Sequence, residues 1–154
     1  MKKIMIKQKV LILICTLFSC ILFSSCRYSV PEEKRVDIIS GIAETVNDNF
    51  TSQDGETPLM ISMTEIEKLT DADSDLKKYI EKYDDIKEYR VYLLDNNMVM
   101  VVTENLGQGV RGYVVSNEEL KGTVMTPGLG FDADQIGIIN RIEDSNVYYF
   151  RAGQ

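Results

Sequence analysis

The sequence predicts an α+β domain: N-terminal amphipathic helices followed by an antiparallel sheet of about five strands. Two observations predict it. From Glu32 to Tyr83 apolar side chains recur at three- and four-residue steps, the period of a helix face. From Glu88 onward the chain turns to short runs rich in Val, Ile and Tyr, separated by turns bearing Asp, Asn or Gly.

Glu32 to Phe50 carries Val36, Ile39, Ile42, Ala43, Val46 and Phe50 on one helical face. Pro31 precedes it, and Glu32 and Glu33 suit the positive end of the helix dipole. Thr51 to Pro58 is a polar loop with an Asp-Gly turn signal, and Leu59 to Met63 is a short extended apolar run. Thr64 is placed to cap a brief helix, with Glu67 at the capping-box position. Residues Asp71 to Asp75 break that helix. Ser74 or Asp75 caps the next, which runs through Leu76, Tyr79, Ile80 and Tyr83.

Glu88 to Leu94 and Met98 to Thr103 then read as a hairpin. Met98 to Val102 is apolar on both faces, as a strand covered on each side should be. Leu106 to Gly109 turns the chain into a strand at Val110 to Ser116, and Pro127, Gly128 and Gly130 force a loop. Gln135 to Ile142 and Val147 to Arg151 form a second hairpin.

Ahead of the domain, Lys2, Lys3, Lys7 and Lys9 precede an uncharged run from Val10 to Phe23, and Ser24-Ser25-Cys26 follows. This is the layout of an export signal: basic end, apolar stretch, small residues at the cut. The apolar stretch falls short of the about 20 residues of a spanning helix. Phe23-Ser24-Ser25-Cys26 resembles the lipobox of bacterial lipoproteins, with Phe23 standing where Leu is usual. The resemblance covers residues 1–26 alone. It implies recognition of Phe23, Ser24 and Ser25 by the signal peptidase, cleavage before Cys26, and a lipid on its thiol. An uncleaved anchor and an ordinary secretory signal are the alternatives; Cys20 is a competing site, with Phe18 where a small residue is wanted. The expected organisation is a signal at residues 1–25, a short tether at residues 26–31 and one domain at residues 32–154. The expected location is the outer side of a cell membrane.

After cleavage the chain keeps all 24 acids and 13 of its 17 basic residues, a formal charge of −11. That charge argues against nucleic acid, which wants a basic face. The chain has no His, and past residue 25 its one cysteine is Cys26. These absences exclude a Ser-His-Asp triad, a thiol nucleophile at any other position, a Cys/His zinc site and a disulfide framework. No cofactor is expected.

Three patterns remain. Gly107-Gln108-Gly109-Val110-Arg111-Gly112 matches G-x-G-x-x-G, the spacing of loops that cradle phosphates. A strand follows it, however, and no kinase motif accompanies it, so a tight turn with a strand glycine is the simpler reading. Asp71, Asp73 and Asp75 have the opening spacing of a calcium loop, which Asp132 and Asp134 could supplement. Leu76 and Lys82 stand where Gly and Glu are required, and helix capping explains these acids too. Tyr113, Tyr148 and Tyr149 are candidates for a binding surface, because tyrosine is large, stiff and amphipathic. Adjacent in a strand, Tyr148 and Tyr149 face opposite sides.

The function these features favour is a non-catalytic binding or accessory module, held to the membrane through lipid on Cys26 and meeting a protein of the cell envelope. A small carboxylate-dependent cell-wall hydrolase and a ligand-capturing lipoprotein for a transporter are the alternatives.

Overall fold

The computed structural model describes residues 29–51, 58–94, 97–131 and 134–153. Phe23, Ser24, Ser25, Cys26 and Asp132 lie outside the described residues.

Helix α1, Glu32–Asn49, buries Ile38, Ile39, Ile42, Ala43 and Val46 in one stripe. The chain is already fixed before it. Val30 is buried, and its N–H donates to Asp85 Oδ2 at 3.0 Å. Strand β1, Leu59–Ile61, leads to helix α2, Met63–Leu69, and helix α3, Asp75–Lys82. A 3-10 turn at Asp84–Glu88 enters the remaining strands.

The cap of α2 differs from the Thr64 and Glu67 expected. Ser62 caps it, in a box with Glu65, whose carboxylate accepts from the Ser62 N–H at 3.0 Å. Starting there brings Met63 into the helix, where it and Ile66 share the buried face. A box at Thr64 would satisfy the amides equally but leave Met63 outside that face. Ser74 caps α3, accepting from the Lys77 N–H at 3.1 Å.

The strands are β2 Arg90–Leu93, β3 Val99–Asn105, β4 Gly109–Val115, β5 Thr123–Met125, β6 Gln135–Arg141 and β7 Val147–Gly153. They form one antiparallel sheet in the order β1-β2-β3-β4-β7-β6-β5. The sheet thus has seven strands, not about five. The two additions, β1 and β5, are three residues each and form its two edges. Runs that short carry no alternation to read, and short edges also limit stray pairing with other chains.

Both faces of the sheet are covered. Val91, Leu93, Val99, Val101, Tyr113, Val115 and Val147 pack with the helices in one cluster. Met100, Val102, Val114, Ile136 and Phe150 form a second cluster on the far face, under Leu120, Val124, Leu129 and Phe131. The β3 residues Val99 to Val102 are all buried, as a strand apolar on both faces requires.

Gly112 permits a close approach between β3 and β4. A Cβ there would lie 2.0 Å from the Val101 carbonyl oxygen. Gly107, at φ +80°, makes the preceding turn. Turn geometry and strand approach therefore account for the first and last glycines of the G-x-G-x-x-G pattern. Among the described residues, no helix is long and apolar enough to cross a membrane.

Candidate functional site

Two β-bulges shape the sheet near one end. On β3 the pairing runs from Val102 opposite Gly112 to Glu104 opposite Arg111, so Thr103 is an extra residue. On β6 it runs from Ile138 opposite Phe150 to Asn140 opposite Tyr149, so Ile139 is extra. Strict alternation would send Glu104 to the far face with Val102, and Asn140 with Ile138. The bulges bring both round to the helix-covered face, beside Arg111, Tyr113 and Tyr149.

The result is a cleft of about 340 Å³ between the first turn of α1 and strands β3, β4, β7 and β6. Glu32 and Arg35 line it from the helix, and Thr103, Glu104, Arg111, Tyr113, Asn140 and Tyr149 from the sheet. Its volume lies in the lower part of the range for small-ligand sites, about 300–1,000 Å³. The rings of Tyr113 and Tyr149 meet at 5.6 Å, tilted by 57°. This tilted contact fixes two otherwise rotatable side chains as one wall.

The two arginines of the cleft differ. Arg111 Nε donates to Glu104 Oε2 at 2.7 Å, and its Nη2 also reaches that oxygen. This bond to Glu104 holds Arg111 above its ordinary pKa, so its charge is committed. Arg35 forms no ion pair among the described residues. Its Nη1 donates to the Tyr113 hydroxyl at 3.4 Å, a long bond that raises its pKa, while burial works against it. Its Nε is buried without an acceptor among the described residues. Tyr89 lies close enough to Arg35 to feel its charge, and burial pushes the Tyr89 hydroxyl well above the ordinary tyrosine range.

Of the tyrosines expected at a binding surface, Tyr113 and Tyr149 line this cleft and Tyr148 does not. Tyr148 pairs with Val114 on the far face, is 3 % exposed, and donates to the Glu118 carbonyl at 3.4 Å. The alternation of a strand separates it from its neighbour. Glu32, Arg35, Thr103, Glu104, Arg111, Asn140 and Ile142 are the cleft residues that sequence reasoning missed. For Arg35 a signal existed: it lies four residues before Ile39 and seven before Ile42, a cation in line with the apolar stripe.

A second, larger groove of about 540 Å³ runs between α1 and the α2–α3 connection, lined by Glu44, Asp48, Asp71 and Asp75 among others. All four carboxylates are exposed. Asp75 pairs with Lys78 at 2.9 Å, and Asp73 does not line the groove. Among the described residues, no three His, Cys, Asp or Glu side chains converge as metal ligands. Asp75 sits in the first turn of α3, and the Asp71 backbone carbonyl accepts from the Ser74 hydroxyl at 2.7 Å.

Comparison with protein-family models, with curated proteins and with solved structures finds no match.

Proposed function

We propose that this protein is a lipid-anchored binding module of a bacterial cell envelope, and that it takes its ligand, without catalysis, in the cleft between α1 and the bulged strands. The observation that carries the reading is the pair of bulges. Each re-aims a polar residue, Glu104 or Asn140, toward one wall of paired tyrosines. Bulges of this kind recur where a sheet presents side chains to a ligand. The cleft pairs no nucleophile with a general base, and its Glu104 is taken by Arg111.

The acid-lined groove is the feature that a carboxylate hydrolase would need. Its carboxylates are solvated, however, and a general acid working near neutral pH requires one held away from water. The binding reading is therefore preferred.

The anchor and the cleft belong together in this reading. Cys26 precedes the pinned Val30 by four residues, a reach of about 14 Å at full extension. Glu32, two residues on, lines the cleft. A lipid on Cys26 would hold the cleft close to the bilayer surface, although the acidic domain gains nothing from anionic lipid.

Two experiments test this. The chain and its Cys26→Ser variant are expressed in a bacterium fed labelled palmitate; label in the first and not the second is expected, and equal label in both refutes the anchor. Separately, a photo-crosslinking residue replaces Tyr149 or, as a control, the exposed Met60 on edge strand β1. A discrete envelope adduct from position 149 and not from position 60 is expected. Adducts from neither, or equally from both, would remove the cleft from the reading.

A further inference from the structure

We propose that Arg35 is the docking point for a carboxylate, and that the cleft selects a ligand carrying one such acid. The inference rests on the cleft being the binding site and names what it binds.

The first ground is the unequal state of the two arginines. Arg111 directs two of its N–H groups to Glu104. Arg35 has five N–H donors, of which one makes a single long bond to a neutral hydroxyl. Acids outnumber bases in this chain by 24 to 17. Even so, no carboxylate of a described residue lies within ion-pair distance of Arg35. Glu104 attracts Arg35 only from beyond ion-pair distance, and a guanidinium held partly out of water with no ion pair among the described residues gains from an oxyanion on its outer N–H groups.

The second ground decides which oxyanion. Glu32 and Glu104 line the same cleft. A doubly charged phosphate would meet both, with its repulsion about twice that of a singly charged carboxylate. The planar guanidinium also matches the planar carboxylate with two parallel bonds.

The third ground concerns what surrounds the acid. Asn140, Thr103 and Tyr149 line the cleft with Arg35. The Thr103 hydroxyl and the Asn140 amide donate to the Arg111 and Arg141 carbonyls through long bonds of 3.4 Å, which leaves the second Asn140 N–H and both side-chain oxygens for a ligand. These groups suit amides or hydroxyls next to the carboxylate. A peptide C-terminus and a sugar acid both present that chemistry, and capture of a terminal carboxylate is a recurrent mode of peptide recognition.

The test is an NMR titration of the full chain, labelled with nitrogen-15 in mild detergent. The probes are acetyl-dialanine and its C-terminal amide, glucuronic acid and glucose, and inorganic phosphate. Amide shifts at Thr103, Glu104, Arg111, Tyr113, Asn140 and Tyr149 are followed. At least one acid should saturate these shifts at a concentration about tenfold below its neutral counterpart. A preference within the dipeptide pair alone identifies a peptide terminus, within the sugar pair alone a sugar acid, and within both a site that reads the carboxylate itself. Arg35→Gln should abolish the preference, and the wild-type acid-to-neutral comparison stands even if that variant misfolds. The proposal is overturned if no acid outperforms its neutral partner, if phosphate binds as tightly, or if a folded Arg35→Gln protein keeps the preference. Neutral and acidic probes moving the cleft residues equally would leave the cleft as a site and remove the carboxylate. Probes that move none of these residues also overturn it, and crosslinking from position 149 then judges the cleft by itself.

Discussion

Replacing Gly112 by Ala should disrupt the centre of the sheet. The new Cβ would sit 2.0 Å from the Val101 oxygen and 2.9 Å from both the Val101 carbonyl carbon and the Val102 Cα. Ordinary contact begins near about 3.4 Å, so one strand must retreat by more than an ångström. All three atoms are backbone, and β3 and β4 both lie inside the sheet, so no flexible side chain can yield instead. The cost belongs at the top of the overpacking range, about 3 kcal/mol. For a domain of this size that corresponds to a fall in Tm of about 12 °C, at roughly 4 °C per kcal/mol. Gly137→Ala is the matched control. Its Cβ would meet the Arg151 oxygen at 3.5 Å, an ordinary contact. It should be neutral, or more stable by up to about 1 kcal/mol through a stiffer unfolded chain. Thermal and urea unfolding followed by circular dichroism measure both. A Gly112→Ala protein melting within about 2 °C of the wild type would show that the strands can part there at little cost.

Two further outcomes are expected. Ser62→Ala removes the hydroxyl that accepts from the Glu65 N–H, and should cost about 1 kcal/mol in urea unfolding; no change would return the start of α2 to Thr64. Tyr89 is held neutral by burial, its folded pKa raised above the unfolded value of about 10. Its contribution is therefore complete below pH about 10 and is lost as pH climbs beyond it, because the unfolded chain gives up this proton first. Tyr89→Phe should flatten that alkaline decline, and an unaltered slope between about pH 9 and 11 would assign the decline to other groups.

Legibility in the sequence followed the length of each signal. Helix α1 was readable to within a residue at its C-terminal end, because its apolar stripe runs through five turns. The strands of both hairpins were readable from composition and turns. The run at Leu59 was readable as extended but not as an edge of the sheet, and β5 was not readable at all, since three residues show no period. Tyr113 and Tyr149 stood out as residue types, and alternation alone implied that Tyr148 would part from its neighbour. The cleft itself was hidden. Glu104 and Asn140 reach it through bulges that break alternation, and no glycine or proline marks Thr103 or Ile139 as the inserted residue. Arg35 was obscured for a different reason: a lone cation beside an apolar stripe reads equally well as a solvated edge.

The bulges carry a consequence for recognising distant relatives. Each adds one residue to a strand whose inside–outside assignment otherwise depends on parity. A relative with the same sheet and no cleft need not differ in its core. It would align with a single-residue gap at Thr103 and another at Ile139, its buried Val101, Met100, Ile136 and Phe150 still in step. Gain or loss of the site is thus a matter of two one-codon insertions or deletions, and gap positions are more informative than substitutions in deciding which relatives share it.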